Sequence, residues 1–159
     1  MCIRDRSLIV NKVTHLQEEV KNLQKENEKL KAKLAKEAAG DITADTIELS
    51  GIKVLVKELS DVDMNGMRDL GDEAKEKLGD CVIVFGCENA GKANLVAMAS
   101  DEAVKKGAHA GNLIKEIASL VGGGGGGRPN MAQAGGKNPA GLEQALEKAK
   151  ECITNQINS

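Results

Sequence analysis

Aromatic side chains are almost missing: Phe85 is the single one in 159 residues, with no tryptophan and no tyrosine. Recognition of nucleic acid by stacking bases on aromatic rings is therefore not expected. Histidine is nearly as scarce, with His15 and His109 alone. No nucleophile, base and orienting group can be assembled around either of them. The four cysteines, Cys2, Cys81, Cys87 and Cys152, form neither a dense disulfide framework nor a zinc-binding spacing. Cys81 and Cys87 bracket an apolar run and read as buried thiols. Carboxylates such as Glu18, Glu19, Asp72 and Glu73 fall on solvated helix faces, so no active site and no metal site are expected. A basic excess is lacking too: 22 Lys and Arg against 24 Asp and Glu leave a net charge of −2. No global field advertises nucleic acid, and any such contact must be local. Leu8-Ile9-Val10 is too short for a signal peptide, and no stretch is long enough to span a membrane. No membrane partner is expected, and a reducing, cytoplasmic setting is the default.

Glycine, by contrast, is abundant, with 18 residues, six of them consecutive from Gly122 to Gly127. Such backbone has the largest conformational entropy to lose on folding, and offers in return positive φ angles and close main-chain approach. Composition alone is equally compatible with a flexible linker. A strong amphipathic pattern on each side, Arg128 directly after the run and the sequence Met131-Ala132-Gln133-Ala134 suggest instead a backbone surface offered to an anion.

From Ile9 the spacing is heptad. Ile9, Leu16, Leu23 and Leu30 fall at d, and Val13, Val20, Asn27 and Leu34 at a. This predicts a coiled-coil helix over 8–39, ended by Gly40 and Asp41. Asn27 at a, with Glu26 at g able to face Lys31 at e of a second copy, suits a parallel homodimer. Packing on a preceding helix of the same chain is the alternative. The first residues, 1–7, blend poorly with the heptad pattern after them and read as a non-native N-terminus.

The remainder, 40–159, reads as one globular domain. A strand is predicted at Ile52–Leu59, then a helix from Met64 to Leu78 capped by Asp63, then strands at Val82–Phe85 and Asn94–Ala99 joined by a hairpin turn. A helix comes next over Ala110–Val121, then a short edge strand over Met131–Ala134, and a last helix capped by Asn138 with Pro139 at its first position. The fold class is α+β, a mixed α/β sheet with packed helices, preceded by a long N-terminal coiled-coil helix. Gly86 to Lys92 has the GxxxxGK spacing of a phosphate-binding loop. Ala93 replaces the required Ser or Thr, however, and a strand rather than a helix comes after it, so nucleotide binding there is not expected.

The run GGGGGGRPNMAQAGG, Gly122 to Gly136, resembles the signature of the C-terminal domain of alanyl-tRNA synthetase, also called the DHHA1 domain. The similarity extends through Gly51–Val56, Lys105–Val121 and the last helix, about two-thirds of the chain. Related DHH phosphoesterases carry a similar glycine run followed by His; Arg128 in that place favours the synthetase branch. The resemblance implies a non-catalytic C-terminal fragment that binds alanine-specific tRNA near its elbow and supports aminoacylation and editing in the full enzyme. ATP, magnesium and zinc would then serve parts of the parent outside this fragment, which itself needs no cofactor. Gly124, Gly125, Gly126, Gly127 and Arg128 match the motif and are the expected tRNA-binding residues, with N–H groups and a bidentate guanidinium as phosphate donors. Lys105, Lys106 and Lys137 are their expected companions, and Lys92 a further candidate. The competing readings are a structural dimerisation module acting through the coiled coil, and the substrate-binding domain of a DHH-type phosphoesterase.

Overall fold

The computed structural model describes residues 3–39 and 44–159. Gly40 and Asp41, expected to end the first helix, lie outside the described residues, as do Met1 and Cys2. Contacts divide the chain into two units, 1–34 and 35–159.

The first unit is the greater part of α1, Ile3–Ala39, a continuous helix that already includes Ile3 to Ser7. Its apolar seam faces solvent: Leu16, Val20 and Leu23 are 58%, 51% and 63% exposed.

The second unit is built on one mixed sheet. Its elements are β1 (Thr46–Leu49), β2 (Ile52–Ser60), α2 (Met64–Leu78), β3 (Cys81–Asn89), β4 (Lys92–Ala99), α3 (Asp101–Lys105), α4 (Ala110–Ala118), β5 (Gly123–Arg128), β6 (Met131–Gly136), a 3₁₀ turn (Pro139–Gly141) and α5 (Leu142–Asn158). Strand order is β1-β2-β3-β4-β6-β5, with β2 and β3 parallel and every other pair antiparallel. The parallel pair requires a crossover connection, which α2 supplies.

Alternation along β3 divides the core. Val82 and Val84 join Leu95, Ala97, Leu113, Ile114, Ile117, Ala149 and Ile153 beneath α4 and α5. Ile83 and Phe85 join Leu55, Met67, Leu70 and Val96 beneath α2. Helices cover both faces of β3, which explains why Cys81 to Cys87 is an unbroken apolar run, not an alternating one. Phe85 is wholly buried, and truncating such a ring costs about 3–5 kcal/mol.

Local chemistry sets the element ends. Asp63 caps α2, its Oδ1 accepting from Gly66 N at 2.9 Å. Gly71, unfavourable inside a helix by about 1 kcal/mol, sits where a side chain would meet the Met98 Sδ, so glycine lets α2 lie close to β4. Ala90 and Gly91 turn the β3–β4 hairpin with φ of 52° and 72°, as a two-residue hairpin turn requires. The GxxxxGK spacing is therefore the end of one strand, a tight turn and the start of the next. It has no helix N-terminus to aim at phosphate.

Several expectations are corrected. β1 occupies a stretch where no strand is predicted; it is four residues long and only half buried, leaving little periodicity to detect. α3, capped by the Ser100 Oγ at 3.2 Å from Ala103 N, is a helix that was not expected. α4 stops at Ala118, and Val121, though buried, belongs to the turn beyond it. The last helix begins with a 3₁₀ turn on Pro139, and the Asn138 side chain makes no capping hydrogen bond. The largest correction concerns the glycines, which form a strand of the sheet, and Met131–Gly136 is consequently an inner strand.

Candidate nucleic-acid interface

β5 is an edge strand of the sheet, and five of its six residues are glycine. Glycine is disfavoured in strands because it has the most entropy to lose and nothing to pack. Here packing requires it. A Cβ on Gly123 would lie 2.5 Å from Gly136 Cα, one on Gly125 2.5 Å from Gln133 O, and one on Gly127 2.6 Å from Ala132 Cα. No side chain of any kind fits at these alternate positions. Gly111 in α4 is matched to the same place: a Cβ there would lie 2.8 Å from Gly127 O. Ala110 N donates to Pro129 O at 2.9 Å, fixing the start of α4 against the β5–β6 turn. β5 is thus bare so that it can lie against both β6 and α4.

An antiparallel edge strand turns alternate N–H and C=O groups away from its partner. Alternate glycine N–H groups, all expected as donors to an anion, are instead engaged in the ladder with β6. β5 remains largely solvent-exposed. The outward half of the strand's N–H and C=O groups is therefore unpaired within the sheet, at positions that the ladder sets.

Arg128 ends this strand, exposed and in register with Met131. Among the described residues it has no carboxylate partner, and neither do Lys92, Lys115 and Lys137. The Lys115 Cε lies 3.8 Å from where a Cβ on Gly126 would be, so this α4 lysine adds a cation beside the strand. Sequence reasoning missed Lys115, because its nearness to β5 depends on how α4 docks.

The predicted cations are not gathered into one patch. Lys137 directly follows β6 and, by continuation of the β4–β6 register, stands across from Lys92, at the end of β5 opposite Arg128. Lys105 is exposed and bound to Glu102 Oε1 at 2.6 Å; this bond raises the lysine's pKa and lowers the carboxylate's. Lys106 reaches toward the β1–β2 turn, its Nζ 3.7 Å from a Cβ on Gly51, at the sheet's other edge. Lys115, Lys137 and Arg128 border the glycine strand; Lys92 is separated from it by β6, and Lys105 and Lys106 lie elsewhere.

Other candidate chemistry finds structural uses. The His109 Nδ1 caps α4, accepting from Asn112 N at 3.0 Å. Cys81 and Cys87 are fully buried free thiols, and burial pushes Cys81 up to about 11. Cys152 donates to Glu116 Oε2 at 2.8 Å. Burial first, and then that carboxylate, raise its pKa to about 11 as well. Among the described residues no group of three or more His, Cys, Asp or Glu is placed to hold a metal ion. No helix among them is long and apolar enough to cross a membrane.

Comparison with known proteins bears on the family and the fold. Residues 51–155 match the model of the DHHA1 domain. The chain is 58% identical over 149 residues to alanine–tRNA ligase 1 of Lachnoclostridium phytofermentans, covering 94% of this chain and 17% of that protein. It is 49% identical over 150 residues to the alanine–tRNA ligase of Alkaliphilus oremlandii, with the same coverage. It therefore spans about a sixth of the length of these relatives. Among solved structures it resembles the C-Ala domain of Aquifex aeolicus alanyl-tRNA synthetase, with a TM-score of 0.62 and 27% identity, covering 69% of this chain and 97% of that one. A DHH-domain protein described as a member of the s1p family of ribosomal proteins shares the fold at a TM-score of 0.54 and 16% identity, over 86% of this chain and 33% of that one. The similarity to this DHH-domain structure is thus weaker than the similarity to the synthetase's C-terminal region. With the family model covering most of the globular unit, the chain belongs to the DHHA1 domain family.

Proposed function

We propose that this chain is a non-catalytic, tRNA-binding C-terminal part of an alanine–tRNA ligase, acting in the cytoplasm to hold the tRNA by its elbow during aminoacylation and editing. The single observation that carries this reading is the glycine edge strand ending in Arg128, its outward main-chain N–H donors unpaired within the sheet and bordered by cations that lack carboxylate partners among the described residues. RNA helices and their junctions present phosphates and 2′-hydroxyls, which call for such donors and not for aromatic shelves. The name alanine–tRNA ligase, carried by its relatives, supports alanine-specific tRNA as the partner. ATP, magnesium and zinc we assign to parts of the ligase beyond these 159 residues.

With so few cations engaged, binding by this chain alone is weak and strongly salt-dependent. Fluorescence anisotropy of labelled tRNA(Ala) tests it. Saturable binding at low salt that fades as salt rises is expected, and no binding at any salt would overturn the reading.

A second role is favoured by the seam of α1. Leu16, Val20 and Leu23 are exposed at heptad positions, and a second copy of the same helix is the occupant such a seam suits. Dimerisation through α1 is compatible with tRNA binding by the globular unit.

A further inference from the structure

Arg68 is outside the cation border of the glycine strand, and nothing in the sequence singles it out. It lies on α2, one residue from the buried Met67, and its Nη2 donates to the Oε1 of Gln133 on β6. The Nε of Arg68 is buried with no hydrogen-bond partner among the described residues. No carboxylate there pairs with its charge.

The surface beside Arg68 is open. Val96 and Met98 face α2, so by register Met131, Gln133 and Gly135 share that side of the sheet. α2 does not extend over them: Gln133 and Gly135 are exposed, and Met131 is only half-buried. Asn94 belongs to the same side, its Oδ1 3.9 Å from where a Cβ on Gly135 would be. The opposite side of β6 is filled, with Ala132 and Ala134 buried beneath α4. Gln133 pairs with Gly126, and the neighbouring row pairs Met131 with Arg128. The residue that tethers Arg68 is thus one row, about 7 Å along the strand, from the strand partner of Arg128.

We propose that Arg68 is a second phosphate-binding guanidinium of the RNA interface, held in place by Gln133, and that the interface therefore extends from the β5 edge onto the α2 side of β6. Two cations without carboxylate partners, flanking a polar floor of amide side chains and bare backbone, complement a polyanion. An arginine fixed through one of its five N–H donors keeps others for bidentate contact with phosphate. A surface meant for an apolar protein partner would not set a guanidinium and two amides around its floor. This proposal rests on the tRNA-binding reading and deepens it.

The test measures tRNA(Ala) affinity of the full 159-residue chain against salt, with thermal melting as the folding control. Arg68→Ala is expected to weaken binding about tenfold and to reduce the slope of log K against log salt by about 0.7–0.9, the signature of one lost phosphate contact. Arg68→Lys should restore the slope but only part of the affinity, since lysine has charge without the fork. Gln133→Ala should weaken binding a few-fold and leave the slope unchanged, because it removes the tether and not the charge. An Arg68→Ala protein that melts normally and binds tRNA with unchanged affinity and slope would overturn the proposal. If Arg128→Ala weakens binding in the same series, the broader reading survives that failure. Absence of binding by the parent chain would remove both. Loss on Arg68→Ala of binding to anionic phosphatidylserine vesicles, with tRNA binding intact, would assign the surface to lipid and overturn the RNA assignment.

Discussion

Gly125 faces Ala134 across the β5–β6 ladder so closely that a methyl group on the glycine would lie 2.5 Å from Gln133 O and overlap Ala134 itself. One position earlier, a methyl on Gly124 would meet nothing within 4 Å. The glycine run is therefore two interleaved sets with different reasons to be glycine.

Substitution separates the two sets. Gly125→Ala and Gly127→Ala push a Cβ into β6 backbone and should each destabilise the globular unit by about 2–3 kcal/mol. Gly124→Ala should stay within about 1 kcal/mol, with restriction of the unfolded chain offsetting any loss. Denaturant titration of the three variants checks this. Equal destabilisation at Gly124 and Gly125 would contradict the interleaved packing.

Alkaline stability should follow the thiols. Folding raises Cys81 and Cys152 from about 9 to about 11, so the folded state holds these protons more tightly than the unfolded chain. Their contribution is complete below pH 9 and is lost as pH rises from about 9 to about 11, at up to about 1.4 kcal/mol per pH unit for each group. Stability measured across that window should fall, and Cys152→Ala should flatten part of the fall. Alkylation of both thiols at pH 8 should be slow unless the protein is unfolded.

The seam of α1 predicts self-association. Sedimentation at increasing concentration should show a monomer–dimer equilibrium. Leu16→Glu with Leu23→Glu should abolish the dimer without changing the melting of the globular unit, since neither residue belongs to its core. A strict monomer at high concentration would contradict pairing of the seam.

Strong signals in the sequence marked most of the fold. Asp63 ahead of a periodic apolar stripe located α2, the spacing from Ala110 to Val121 located α4 but carried it past its end at Ala118, and the turn residues between the two predicted strands located the β3–β4 hairpin. β5 was hidden because its residues are those strands avoid; only β6 and α4, distant in preference though near in sequence, impose the extended form. The same cause hid the topology, since an unrecognised edge strand made β6 look like the edge. The motif resemblance found the glycines and Arg128 without showing that they are a strand. Lys115 and Arg68 carried no signal, because what matters in each is a neighbour supplied by tertiary packing. Lys105 and Lys106 illustrate the converse, as nearness in sequence to α4 did not bring them to β5.

Amide hydrogen exchange of the 159-residue chain with and without tRNA(Ala) tests the central claim most directly. The prediction is slowed exchange across Gly122–Gly136, strongest at the outward-facing amides of β5, with α5 unchanged. Binding of tRNA that leaves β5 exchange unaltered, with protection confined to α1 or α5, would contradict it.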